Sequence, residues 1–333
     1  MERTGRNTHK FSARYGRRHS AATILITTHL LSLVPAVLLS CEETSLETPV
    51  PEKTQIYIHK IAKTTAGTLD LFFFNDDALL TLDAYQRFED LSEGVVEGAS
   101  RTGDKLVAGI LNRQGDIWSW SDINSFQRLS ERISDLTEDR TPAPVMTGLV
   151  RIRAGKDRRG VLELKPLLTR ISLHSLCCDF HARPYKDAVL EDVKVYLVNI
   201  NRTVSFFDDG SATVPASWLN MGGLENDGDG VSLGDVSGMI LPDAAFYCYP
   251  NSTVEESLGR PLTRLVIEGT LLGERYYYPV NLPAIGRAED IVLDVTITRT
   301  GTSDPDSPAG TGTVLCGMTV RPWDERTPWQ ITF

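Results

Sequence analysis

The chain has 333 residues, with 34 Lys and Arg against 44 Asp and Glu, for a formal net charge of −10. Hydrophobic residues at 41% and charged residues at 23% exclude a disordered chain and a polytopic membrane protein. The acidic balance argues against nucleic acid as a partner, and the length suggests about two domains.

The acidity is uneven. Residues 1–40 hold six bases and one acid, which leaves 28 bases, 43 acids and a charge of −15 on the remainder. After the basic stretch comes an apolar run from Ala21 to Leu39, interrupted by His29 and Pro35. It falls short of the roughly 20 apolar residues a spanning helix needs and reads as a secretory signal. The long basic region leaves open a true start codon downstream of Met1. Leu38-Leu39-Ser40-Cys41 resembles the lipobox of bacterial lipoproteins. That resemblance implies cleavage between Ser40 and Cys41, with Cys41 lipidated and anchored in the outer membrane. Glu42 and Glu43 resemble a surface-export signal of Bacteroidetes lipoproteins, or serve as a solvated linker. Residues 41–54, polar with two prolines, read as a tether.

The body reads mainly as strands. TLDLFFF (68–74) is β-rich and is stopped by Asn75-Asp76-Asp77, and KLVAGIL (105–111) is stopped by Asn112-Arg113-Gln114-Gly115. Helices are expected at 82–91 and, capped by Ser121, at 121–136, where Ile123, Phe126, Leu129, Ile133 and Leu136 share one face. GLVRIRAG (148–155) alternates, and the strand after it starts at Val161-Leu162. Further strands are expected at 169–180, 192–201, 245–251, 290–300, 312–323 and 329–333, with a hairpin at 263–282 around Leu272-Gly273-Glu274. Asn220–Gly238 reads as a long loop. Serial strands favour sandwiches over a parallel sheet. The organisation expected is a signal at 1–40, a tether at 41–54, a first sandwich at 55–160 and a second at 161–333.

Chemistry-bearing motifs are sparse. Cys177, Cys178, Cys248 and Cys316 include no C-x-x-C. Adjacent Cys177 and Cys178 point to opposite faces of a strand. They read as small buried hydrophobes, with a disulfide open in an oxidising compartment. His59, His174 and His181 form no zinc spacing. The usual nucleophile-elbow, P-loop and dinucleotide glycine patterns are missing. Glu225–Gly230 resembles a calcium loop, but its twelfth position is Val236 instead of a bidentate Glu, so a turn is favoured. No metal, cofactor or enzymatic reaction is expected.

The ordered segments resemble the fimbrillin family of Bacteroidales, the subunits of type V pili. They are the lipobox, Leu69–Asp76, Lys105–Asn112, Pro144–Gly148, Leu168–Leu173, Val195–Asn199, Phe246–Asn251, Tyr276–Pro279 and Trp323–Phe333. The resemblance implies two transthyretin-like β-sandwich domains with one or two short helices in the first. It implies fimbrial subunits as partners, host or bacterial surface ligands, and polymerisation by strand exchange after a protease trims the N-terminus. The strands implied are the one holding Ile56, Tyr57 and Ile58 and the one holding Trp323, Trp329, Ile331 and Phe333. The family cut commonly follows Arg. Here only Lys53, Lys60 and Lys63 stand between Cys41 and Thr68, so those are the candidate trimming sites, or the subunit stays lipidated as an anchor or tip accessory. The alternative from the residues themselves is a glycan-binding surface lipoprotein using Trp118, Trp120 and Tyr276–Tyr278 as stacking platforms.

Overall fold

A computed structural model describes residues 50–60, 67–139, 143–207, 218–221 (backbone only), 230–242, 244–307, 309–310 and 312–323. The first half contains β1 (Glu52–Lys60), β2 (Leu69–Asn75), β3 (Leu82–Phe88), β4 (Val95–Ser100), β5 (Gly103–Leu111), helix α1 (Phe126–Ser130), β6 (Ile133–Asp135), β7 (Met146–Ala154) and β8 (Arg159–Pro166). The apolar β2 run stops where the Asp77 carboxylate accepts the Leu79 and Leu80 N–H groups and Leu80 takes φ 46°. This is the Asx turn that Asp favours.

Seven strands join in the order β3-β2-β5-β7-β8-β1-β4. β7 and β8 pair only at Met146–Pro166 and Thr147–Lys165. Beyond that corner β7 follows β5 and β8 follows β1, and the sheet doubles back into two layers. The layers meet closely. A Cβ on Gly98 of β4 would sit 2.3 Å from the Phe73 ring of β2, and one on Gly109 of β5 would sit 2.5 Å from Leu162 of β8. At the corner a Cβ on Gly148 would lie 2.0 Å from the Glu163 carbonyl oxygen, which is backbone and cannot swing away. Gly148→Ala is therefore expected to cost about 1–3 kcal/mol as overpacking. A urea midpoint equal to wild type would remove the corner from the list of tight contacts.

Two helical expectations fail here. Residues 82–88 are strand β3, because Tyr85 stacks on Phe72 with ring centroids 4.8 Å apart and Arg87 reaches Asp70, both on β2. Gln86 exchanges two hydrogen bonds with the Ala99 backbone and so bridges β3 to β4. Cross-strand partners outweigh a short helical period. The 121–136 helix shrinks to five residues capped by Ser125, whose Oγ accepts the Arg128 N–H, while Ser121 bonds Ser119 instead. Ile133, placed on the apolar face, is exposed, and β6 pairs with a strand of the second half. So short a helix is marginal by itself, and tertiary pairing decides the outcome.

The second half contains β9 (Thr169–Cys178), β10 (Leu190–Asn201), β11 (Thr203–Ser205), β12 (Trp218–Met221), β13 (Val231–Val236), β14 (Met239–Ile240), β15 (Ala244–Cys248), β16 (Arg264–Leu271), β17 (Glu274–Asn281), β18 (Glu289–Ile297) and β19 (Val314–Pro322). One sheet runs β12-β10-β16-β17 with β13 also on β10. The other runs β14-β9-β18-β19 with β15 also on β9. The expected β16–β17 hairpin is present. Leu272 and Gly273, at φ 58° and 83°, supply the consecutive positive φ angles of a primed hairpin turn. The expected loop over Asn220–Gly238 instead contains β13 and the end of β12, both paired to β10. Gly234 interrupts the alternation of β13, and its register on β10 shifts there. Residues 329–333 and most of Glu225–Gly230 lie outside the described residues.

The halves are sewn together by named contacts. β6 pairs with β11. Arg287 donates to the carbonyls of Thr147, Lys165 and Pro166 and to the Thr147 hydroxyl. The Tyr249 hydroxyl bridges Ser134 Oγ at 2.9 Å and Asp139 Oδ2 at 3.1 Å.

Candidate functional site at the terminal strands

β1 is held on both edges. It runs antiparallel to β4, with Ile56 opposite Val96, and parallel to β8, with Ile56 opposite Gly160. Alternation sends Thr54 and Ile56 into the sandwich. Ile56 is fully buried, and Gly160 leaves room for it, since a Cβ there would stand 3.3 Å from Ile56 Cδ1. Buried Thr54 accepts the Gly155 N–H at 3.0 Å, and Glu52 accepts the Lys156 N–H at 2.6 Å. Ile58 is half-buried and Tyr57 faces outward between Val95 and Val161. Of the candidate trimming residues, Lys53 is exposed and pairs with Glu97 at 2.9 Å, Lys60 closes β1, and Lys63 lies outside the described residues, as do Ser40 and Cys41.

At the other terminus β19 pairs with β18, and most of its side chains are exposed. Among the described residues no strand covers its second edge. The chain then enters Trp323, which is buried, stacks on Tyr247 at 5.9 Å and donates its backbone N–H to the Ala288 carbonyl. Trp329, Ile331 and Phe333 lie outside the described residues. The structure thus places Ile56 and Trp323 in the core and gives Tyr57 an open face.

The remaining candidates do not gather into a chemical centre. Cys177, Cys178, Cys248 and Cys316 are all free, and burial pushes the Cys178 and Cys248 thiols up to about 12. Those two thiols stay protonated and behave as small apolar fillers. Cys178 is buried and Cys177 half-buried, as opposite faces of β9 require. His174 and Ser175 both donate toward Asp294, an arrangement with no nucleophile–base contact. Among the described residues no three His, Cys, Asp or Glu side chains are grouped to hold a metal. Trp118 lies under the Arg113 guanidinium, 4.2 Å from the ring centroid, and Tyr278 is fully buried. Trp120 remains exposed at 62%.

Solved structures share this strand arrangement. A fimbrillin from Porphyromonas gingivalis superposes with a TM-score of 0.60 at 15% identity, over 83% of this chain and 98% of that one. The chain has the fold of a fimbrillin. Candidate cell adhesion proteins from Bacteroides eggerthii and Parabacteroides distasonis share the fimbrillin fold. Each has a TM-score of 0.58 and 15% identity, covering 82% and 83% of this chain and 96% and 100% of theirs. No protein-family model matches the chain, and no curated protein matches it. Sequence reasoning missed β4, half of the clamp on β1; its Val95-Val96 pair was the only signal, cut short by Gly98.

Proposed function

We propose that the chain is a structural and adhesive, non-enzymatic subunit of a cell-surface fimbrium, with two transthyretin-like sandwiches, exported as a lipoprotein on Cys41 and assembled by strand exchange. The observation that carries this reading is β1, a single terminal strand inserted between β4 and β8 with Ile56 as its plug. Removing it leaves two unpaired edges and an apolar slot, the arrangement that a donated strand satisfies. Its likeness to fimbrillins and the β19 edge that no described strand covers support the same reading.

The extent of β1 supports a cut that releases it whole. Cleavage after Lys53 leaves Ile56 in its slot, whereas cleavage after Lys60 or Lys63 releases all of β1. Polymerised subunits are therefore expected to begin after Lys60 or Lys63, and a combined Lys60→Ala, Lys63→Ala variant to stay unpolymerised. N-terminal sequencing and mass spectrometry of sheared fimbriae read both. Recovery of the chain solely as an outer-membrane monomer would eliminate the polymer reading, and a start at Cys41 would mark an anchor.

A further inference from the structure

Strands β3, β2 and β5 are neighbours, and at one end of the first sandwich they bring Asp83, Asn75 and Lys105 together. Asn75 and Lys105 are directly opposed across β2 and β5, in phase with Phe73 opposite Val107 on the core side. Lys105 is 2% exposed. Its Nζ lies 2.6 Å from Asn75 Oδ1 and 2.9 Å from Asp83 Oδ2. The Asp83 side chain is also 2% exposed, and its Oδ2 accepts the Arg101 N–H at 2.8 Å. Asn75 itself is half-buried, and its Nδ2 donates to Thr81 Oγ1 at 3.1 Å. A buried lysine needs a carboxylate for charge balance. It does not need a carboxamide carbon, yet Asn75 Cγ lies one carbonyl bond beyond Oδ1 and so within about 3.8 Å of Nζ. An amine, an amide carbon and a proton carrier stand in reacting distance with water largely excluded.

We propose that Lys105 and Asn75 join in an intramolecular isopeptide bond between β5 and β2, with Asp83 carrying the protons. Asp83 takes a proton from the Lys105 ammonium. The freed amine pair attacks Asn75 Cγ, and the carbonyl π pair moves onto Oδ1. The Cγ–Nδ2 bond then breaks as Asp83 hands its proton to Nδ2, and the carbonyl re-forms. One C–N bond forms, one breaks, and nothing is oxidised or reduced. Of the three ammonium protons, one stays on the new amide, one departs with Nδ2 as ammonia, and one passes through Asp83 to that ammonia, which leaves as ammonium. The half-buried position of Asn75 beside Thr81 provides the exit. The product staples two strands without cysteine and indifferently to redox conditions. It shortens the loops open to the unfolded chain as a disulfide does. It stands independently of the fimbrial reading.

The test is intact-mass and tryptic analysis of the purified mature protein. The mass is expected to fall short of the sequence by one ammonia, with trypsin failing after Lys105 and a branched peptide joining Thr64–Arg87 to Thr102–Arg113. Asn75→Ala and Asp83→Asn are expected to abolish the branched peptide. Asn75, being half-buried, can be replaced with the fold retained, as circular dichroism will verify. A full-length mass with Lys105 cleaved normally would overturn the proposal. So would loss of ammonia with Lys105 still cleaved, since that marks a succinimide at Asn75, and so would a cross-link that survives in Asp83→Asn.

Discussion

Asp70→Ala is expected to destabilise the protein by about 3–5 kcal/mol, the cost of stripping one partner from a buried charge cluster. Asp70 is 1% exposed on β2. Arg87 grips both of its oxygens, at 2.7 Å and 2.9 Å, Arg113 adds a bond at 3.0 Å, and the Tyr85 hydroxyl donates at 2.6 Å. Without the carboxylate, two largely buried guanidiniums lose their counter-charge. Asp70→Asn keeps the shape but not the charge, and is expected to cost less. Burial alone would raise the Asp70 carboxyl, but the bonds from Arg87, Tyr85 and Arg113 outweigh it and hold the group below its usual value. A depressed carboxyl contributes stability above its unfolded value near 3.8, which is lost as pH falls through the lower folded value. The variant should lose less stability than wild type on acidification below pH 4. Urea unfolding at pH 7 and pH 3 measures both effects, and a cost under about 1 kcal/mol at pH 7 would put the cluster among ordinary surface pairs.

Asp139→Asn is expected to act in the opposite sense and in a different window. Burial pushes the Asp139 carboxyl from 3.8 up to about 7, against the lowering influence of the Val145 N–H, the Tyr249 hydroxyl and Arg287. Between those values the folded chain holds a proton that the unfolded chain has released, so stability falls as pH rises from about 4 to 7. At about 1.4 kcal/mol per unit, the whole penalty reaches roughly 4 kcal/mol. Asparagine accepts the Val145 N–H in the same way and stays neutral. The variant should match wild type below pH 4, pull ahead of it as pH rises from about 4 to 7, exceed it fully at pH 8 and lose that stretch of pH dependence. Equal pH dependence in both proteins would move the titration to another group. Because Asp139 and Tyr249 belong to opposite halves, the same titration is expected to loosen the junction.

Most strands were legible because apolar alternation and Asn/Asp/Gly punctuation announce them, as at 69–75, 105–111 and around Leu272-Gly273. The 82–88 segment was not legible as a strand, because Tyr85 and Arg87 acquire their meaning only from Phe72 and Asp70 across the ladder. Ile133 completed an apolar stripe on paper, but β11 claims its backbone from about seventy residues away, and no local window contains that partner. β13 was hidden because Gly234 breaks its short alternation. At the terminal strands the identity of β1 was readable, but its neighbours were not. That β8 flanks it in parallel follows from a crossover through the whole first sandwich. The buried charges were the least legible. Asp70 inside LDLFFF and Lys105 opening a strand look like the polar phase of an alternating pattern, and only the folded sheet shows what they meet.

The parallel seam of β1 with β8 also sets an order in time. Glu52 bonds Lys156, 104 positions downstream, so β1, the earliest of the described strands, cannot close its seam with β8 until that strand exists. The hairpin of β2 with β3 and the ladder of β5 with β7 do not depend on it, and loop-closure cost favours those nearer pairings first. The strand whose seam with β8 closes late also sits between β8 and β4, so its departure opens both edges at once. Docking and release of β1 thus close and open the same two seams.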